Sequence, residues 1–236
     1  KKNFSDSATL KIFRDLELFR SDFKKYKLLK IYDSKTKKLS LEKKFIYFPL
    51  HYQPEATTYP FGNHFIDQLN AIKLLSSYIP DDFLIYVKEH PDTFNVGRES
   101  WIIGDFSRDK NFYEDLEKIK KVNLVPLDMS TLDLTKKSFA ISTIAGAVGL
   151  EAVLQNKPAL IFGSTWYEDC EGIYKFSNHE NCKKVSNLIF EKKIKIDINK
   201  VNEFFDNAKK TIFSDNDFTS EENLKFIQFN FLEKLK

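Results

Sequence analysis

The sequence predicts an α/β fold: a Rossmann-like parallel sheet with helices on both faces and helical flanks at each terminus. Three observations predict it. Short apolar runs of buried-strand character recur at FIYFPL (45–50), FLIYVKEH (83–90), VNLVPL (122–127), SFAIST (138–143) and KPALIFG (157–163). Between them lie stretches with apolar residues at helical spacing, and strand-helix-strand alternation is the rhythm of parallel strands joined by crossover helices. A chain of 236 residues with 42% hydrophobic residues, 23 of them Phe, has enough apolar side chain for one large domain or two small ones.

The elements follow in order. Residues 4 to 31 carry Leu10, Ile12, Phe13, Leu16, Leu18, Phe19, Phe23, Leu28 and Leu29 among charges, which predicts one or two amphipathic helices. SKTKKLSLEKK (34–44) is polar and basic and reads as a solvated linker, so residues 1–44 form a helical N-terminal segment with its linker. A Rossmann-like unit then occupies 45–180. In it IDQLNAIKLLSSYI (66–79), DKNFYEDLEKIKKV (109–122) and AGAVGLEAVLQN (145–156) are the helices, and Pro80-Asp81-Asp82 is a turn. Residues 181–236 form a helical C-terminal segment packing on the same domain, with helices over VNEFFDNAKKTIF and EENLKFIQFNFLEKL.

Composition narrows the function. A net charge of +3, from 37 basic and 34 acidic residues spread along the chain, makes no field that calls for nucleic acid. Cys170 and Cys182 make no disulfide framework and no cysteine or histidine pair has metal-ligand spacing, which fits a reducing cytoplasm and predicts no metal site. Cys170 lacks a basic neighbour that would make it a nucleophile, and His64 and His179 lack metal-spaced partners. Asp105, Asp128 and Asp133 read as turn and cap residues. No apolar run reaches the roughly 20 residues of a membrane span, and no signal-peptide pattern opens the chain. The missing initial Met leads us to expect a fragment, or the ordered part, of a longer protein.

Ligands of open α/β sheets bind beyond the carboxyl ends of the strands, and four polar segments fall at that edge. The first, His51 to Thr58, follows FIYFPL. Pro54 holds Gln53 extended, and Glu55 is a candidate acid or base, or an ordinary turn residue. In the second, Lys88-Glu89-His90-Pro91, extended geometry puts Lys88 and His90 on one face and Glu89 on the other, with His90 able to donate to a phosphate oxygen. The third, ISTIAGAVGLEA (141–152), brings Ser142 and Thr143 to a turn whose small residues, Gly146 among them, allow close approach of a ligand or close helix packing. Glu151 lies one turn into the helix. Its spacing is neither GxxxxGK[ST] nor GxGxxG, which argues against nucleotide hydrolysis and dinucleotide binding. In the fourth, FGSTWYEDCEG (162–172), Trp166 and Tyr167 either line a pocket or plug the domain edge.

Taken in order, FPLHYQPEATT, Asp67-Gln68, VKEHP and ISTIAGAVGLEAVLQNKPALIFG followed by TWY resemble the bacterial capsule polysaccharide biosynthesis proteins, from about Phe45 to Tyr174. The resemblance implies a GT-B architecture and a glycosyltransferase related to the Kdo transferases, moving a sugar from a nucleotide-sugar, CMP-linked by analogy, onto a saccharide or glycolipid acceptor. His90, Ser142 and Thr143 would then bind the donor phosphate, Gln53, Lys88, Gly146 and Glu151 would complete the nucleotide-sugar site, and Glu55 and His90 would be the catalytic pair. It implies no cofactor beyond the donor and no obligatory metal. Its location would be cytoplasmic, with peripheral contact at the inner membrane. Only one of the two α/β domains of a GT-B enzyme is visible, so the acceptor-binding half is expected elsewhere. A polyol-phosphate transferase of the CDP-glycerol type, a nucleotide-sugar epimerase, and a non-enzymatic nucleotide-binding or assembly module remain as alternatives.

Overall fold

The computed structural model describes residues 4–53, 55–95, 108–191 and 194–212. Pro54, Asp105 and the expected helix over 221–235 lie outside the described residues. Six strands, β1 (Phe45–Pro49), β2 (Leu84–Lys88), β3 (Val122–Leu124), β4 (Ala140–Thr143), β5 (Ala159–Ile161) and β6 (Ile173–Lys175), form one sheet in the order β3-β2-β1-β4-β5-β6. Every pairing is parallel. This is the doubly wound order, whose direction reverses between β1 and β4.

Among the described residues seven α-helices accompany the sheet: α1 (Phe4–Lys35), α2 (Gln68–Tyr78), α3 (Lys110–Lys118), α4 (Thr131–Lys137), α5 (Val148–Leu154), α6 (His179–Ser186) and α7 (Ile198–Ile212). Caps fix several of the starts. Asp67, Asp109, Ser130 and Asn178 each accept a backbone N–H of the first turn through the side chain, removing one orphan donor per helix. Among the described residues no helix is long and apolar enough to cross a membrane.

Strand alternation divides the core into two layers. Ile46, Phe48, Ile85 and Val87 face one layer with α2, α3 and the end of α1, whereas Phe45, Tyr47, Tyr86 and Ile141 face the other with α4 and α5. Phe45, Ile46 and Phe48 have no exposed surface, and full burial of such side chains stabilises by about 1.5–3 kcal/mol each. Both faces of the sheet are covered, which explains why β1 reads as a continuous apolar run and not as an alternating one.

Several elements differ from the sequence reading. The N-terminal region is one helix of 32 residues, and its final turns belong to the domain core through Tyr32, which is fully buried. The basic stretch after it is not simply solvated, because Leu39 and Leu41 pack against the second layer. Helices α4 and α6 and strand β6 carry no distinct signal of their own in the sequence. Gly172, at φ +86°, turns the chain into β6, and a Cβ there would lie 2.9 Å from both Val153 and Ile196.

Tyr32 joins the layers covalently distant in sequence: its hydroxyl donates to the Val125 carbonyl and accepts the Glu89 N–H at 3.1 Å, while its ring meets Phe94 and Tyr113. Tyr32→Phe leaves both backbone groups buried without that partner. We expect a loss of about 1–3 kcal/mol in urea-unfolding free energy, against less than about 0.5 kcal/mol for an exposed control such as Lys30→Ala.

Candidate functional site

The carboxyl ends of β1 and β4 diverge at the reversal of strand order, and the loops that follow them meet there. Alternation along β1 places the His51 side chain on the α5 side, and alternation along β4 does the same for Thr143. His51 Nε2 and Thr143 Oγ1 are 2.8 Å apart, and the same hydroxyl oxygen accepts the Gly146 N–H at 3.2 Å. A Cβ on Gly146 would lie 2.6 Å from the His51 ring and 3.0 Å from Thr143 Oγ1, so glycine is required for the turn to close on the histidine. Tyr167, buried beneath α5, donates its hydroxyl to the Gly146 carbonyl. The residues from Thr143 to Gly146 are therefore held from three sides.

The backbone of His51 is fixed separately. Gln68, at the start of α2 and fully buried, accepts the His51 N–H at 2.9 Å and donates to the His51 carbonyl at 3.1 Å. Arg108 donates to the same carbonyl through Nη2 at 3.0 Å and to Gln53 Oε1 through Nη1 at 2.8 Å. Its Nε donates to Glu89 Oε2 at 2.7 Å, with both side chains almost wholly buried. The remaining capacity of Glu89 is filled by Tyr113, Thr93 and the His90 N–H. Burial, and then the Glu89 carboxylate, raise the Tyr113 hydroxyl far above the usual tyrosine range, which keeps it a donor.

Two histidines stand at this edge in different surroundings. Burial first, then the charge of Arg108 and of His90, lower the His51 pKa from 6.5 to about 4, so near neutral pH His51 carries no charge. His90 caps the 3-10 turn Pro91–Phe94, its Nδ1 accepting the Asp92 N–H at 3.2 Å. That bond puts the proton of the neutral ring on Nε2, which is then a donor. Its ring centroid is 6.0 Å from that of Tyr52, on the loop after β1.

The sequence-derived candidates separate on this geometry. Gln53, Thr143, Gly146 and His90 gather at the ends of β1, β2 and β4. Lys88 does not join His90: it is buried, and its ammonium donates to the Met129 carbonyl at 2.5 Å and to Thr131 Oγ1 at 3.2 Å. Burial lowers its pKa, with Asp128 opposing. Ser142 alternates to the other sheet face from Thr143, and its fully buried hydroxyl has no partner among the described residues. Glu151 is half-buried in the first turn of α5, and Glu55 is exposed, its carboxylate accepting only a long 3.4 Å contact from Thr57. Trp166 is exposed and stacks on Phe204 of α7, and burial together with Glu171 raises the Cys170 thiol to about 11, which leaves it protonated. His51, Gln68, Glu89 and Arg108 carry most of the site's bonds and were not candidates. Alternation had already put Glu89 opposite Lys88, but nothing local marks Arg108 as its partner.

A family model described as "Capsule polysaccharide biosynthesis protein" matches residues 22–190, well over half of the chain. None of the curated proteins matches it in sequence. Among solved structures, the chain is similar to the beta Kdo 2,7 transferase KpsC of Thermosulfurimonas dismutans, at 13% identity and a TM-score of 0.44, covering 74% of this chain and 57% of that one. It is similar to UDP-GlcNAc 2-epimerase of Methanocaldococcus jannaschii at 17% identity and a TM-score of 0.44, covering 72% and 44%. A co-structure of S. aureus MnaA with UDP gives 21% identity and a TM-score of 0.43, covering 64% and 38%. The chain thus spans less than two thirds of each of these proteins.

The depressed His51 pKa links stability to pH. Between its ordinary 6.5 and about 4, the unfolded chain holds a proton that the folded chain excludes, so stability falls as pH is lowered through that window. We expect His51→Gln to remove this part of the slope, which is at most about 1.4 kcal/mol per pH unit. Urea unfolding at closely spaced pH values from 7 down to 5, wild type against variant, reads the difference.

Proposed function

Since the chain belongs to the capsule polysaccharide biosynthesis protein family, we propose that it is a glycosyltransferase, or the nucleotide-sugar-binding domain of one, acting in the synthesis of a bacterial surface polysaccharide. The observation that carries this reading is the joining of His51, Thr143 and Gly146 across the reversal of strand order, where open α/β sheets take their ligands.

In this reading the donor phosphate lies between His90 and the turn that follows Thr143. His90 contributes the Nε2–H donor that its own capping bond orients. His51, uncharged near neutrality, contributes through shape and hydrogen bonding, without an added positive charge. As the bond from sugar to phosphate breaks, negative charge grows on the phosphate and donors already in place stabilise it without reorganising. The Arg108–Glu89 pair acts one step back, holding Gln53 and the His51 backbone. Glu55, exposed on the same loop, is the acid or base assigned to the acceptor side. Lys88, tied to Met129 and Thr131, serves the sheet edge and not the phosphate. We extend the reading to a CMP-linked donor and to transfer without an obligatory metal ion.

Calorimetric titration with CMP, CDP, UDP and GDP, with and without EDTA, tests it. We expect CMP to bind in preference, with no change on adding EDTA. His90→Ala should weaken it by roughly tenfold or more, the value of a hydrogen bond to a charged group. Thr143→Val should weaken it several-fold. Binding of none of the four, or binding that ignores both substitutions, overturns the reading.

A further inference from the structure

Helix α1 packs one face on the domain and leaves an apolar face uncovered. Ser21, Lys25 and Tyr32 are buried against the domain, with Leu28 packed beside them, and Lys25 reaches the Asn95 carbonyl at 2.9 Å. On the other side Leu16, Phe19, Phe23 and Tyr26 are exposed to 54%, 72%, 52% and 52%. At 100° per residue the two sets point in nearly opposite directions. Four large apolar side chains left in water along one line of a helix are a surface made for covering.

The spacing says what covers it. Residues 16, 19, 23 and 26 recur at intervals of three, four and three, the a and d positions of a heptad repeat, and the buried residues 21, 25, 28 and 32 fall at its outer c and f positions. The seam therefore fits another helix crossing at a shallow angle, with the domain carried on the outside where it does not obstruct. The flanking charges choose the partner. Positions g are Asp15 and Asp22, and positions e are Arg20 and Lys27. Two identical helices side by side in parallel place each g residue beside the e residue five further along the partner, so Asp15 meets Arg20 and Asp22 meets Lys27 on both edges of the seam. Antiparallel copies instead oppose acid to acid and base to base. Asp15, Arg20 and Asp22 also interact within their own chain, and the choice of partner rests only on their sign and position. Lys27 already lies over the Phe23 ring, 4.5 Å from its centroid, where a rim cation belongs.

We infer that α1 pairs in parallel and in register with α1 of a second copy of this chain, forming a two-fold dimer through a short coiled coil. Two heptads make a brief seam, so the dimer is reversible and dependent on concentration.

Sedimentation equilibrium of the whole chain over a wide concentration range is the test, followed by charge reversal. We expect the mass to rise from 27.7 kDa toward twice that value. Asp22→Lys and Lys27→Asp should each weaken association at least several-fold, and the double variant, which restores opposite charges, should recover it. Lys27 is exposed and Asp22 half-buried, neither belongs to the hydrophobic core, and circular dichroism confirms folding of each variant. Phe19→Cys should form an intermolecular disulfide on mild oxidation, at least tenfold faster than Lys24→Cys off the seam. The native cysteines, Cys170 and Cys182, are buried. A chain that stays monomeric throughout, a single reversal that strengthens association, or equal cross-linking at both positions overturns the inference. The first of these results is also the one expected if a different segment or protein covers the seam.

Discussion

The buried Arg108 guanidinium is the bond on which the carboxyl edge of the sheet depends. One cation reaches the end of β2 through Glu89 and the loop after β1 through Gln53 and the His51 carbonyl. Taking such a pair out of water is expensive, and the pair persists because each partner's remaining hydrogen-bonding capacity is filled. Glu89 has Tyr113, Thr93 and a backbone N–H in addition to the arginine. Apolar packing alone would hold the strands together, but it would not fix the height and direction of two loops that carry polar side chains. Arg108 does, and its charge is also one reason His51 remains neutral.

In the proposed reading that arrangement separates the groups that meet the donor from those that position them. His51 and His90 are half-buried at that edge with Thr143 and Gly146 buried beside them, while Gln68, Glu89, Arg108, Tyr113 and Tyr167 hold them in place. Both groups sit at the carboxyl ends of β1, β2 and β4. The opposite edge has a cavity of its own, lined by Lys43, Lys44, Lys137, Lys157 and Phe139 among others, but its lysines are partly committed: Lys157 donates to the Ser138 carbonyl and Lys44 pairs with Asp82. Membership of the family holds for residues 22–190, and the choice between the two edges rests on chemistry. Among the described residues, only the carboxyl edge combines a close backbone approach at Gly146 with two hydrogen-bonded histidines.

Much of the fold was legible because its information is local. Apolar runs at 45–50, 83–90, 138–143 and 157–163 contain β1, β2, β4 and β5, and the helices over 66–79 and 109–122 begin at the aspartates that cap them. The short pieces α4 and β6 escaped because neither carries a pattern that rises above background. At the site, residue types next to glycine or proline were legible, as Gly146 and His90 show, because the backbone demands them. Lys88 and Ser142 depart from the sequence expectation for different reasons: alternation turns Ser142 to the opposite face from Thr143, whereas Lys88 keeps the face of His51 but is drawn to Met129 and Thr131. Arg108 was hidden because its partners, Glu89 and Gln53, are 19 and 55 residues away in sequence.

The measurement that bears most directly on this account is nitrogen-proton NMR of the isotopically labelled chain, titrated with a nucleotide that binds it. The account predicts that the amides of His51, His90 and Gly146 shift together with one dissociation constant, while those of Lys44, Phe139 and Lys157 at the amino edge do not move. Shifts concentrated at the amino edge, with His51 and Gly146 unmoved, would contradict it.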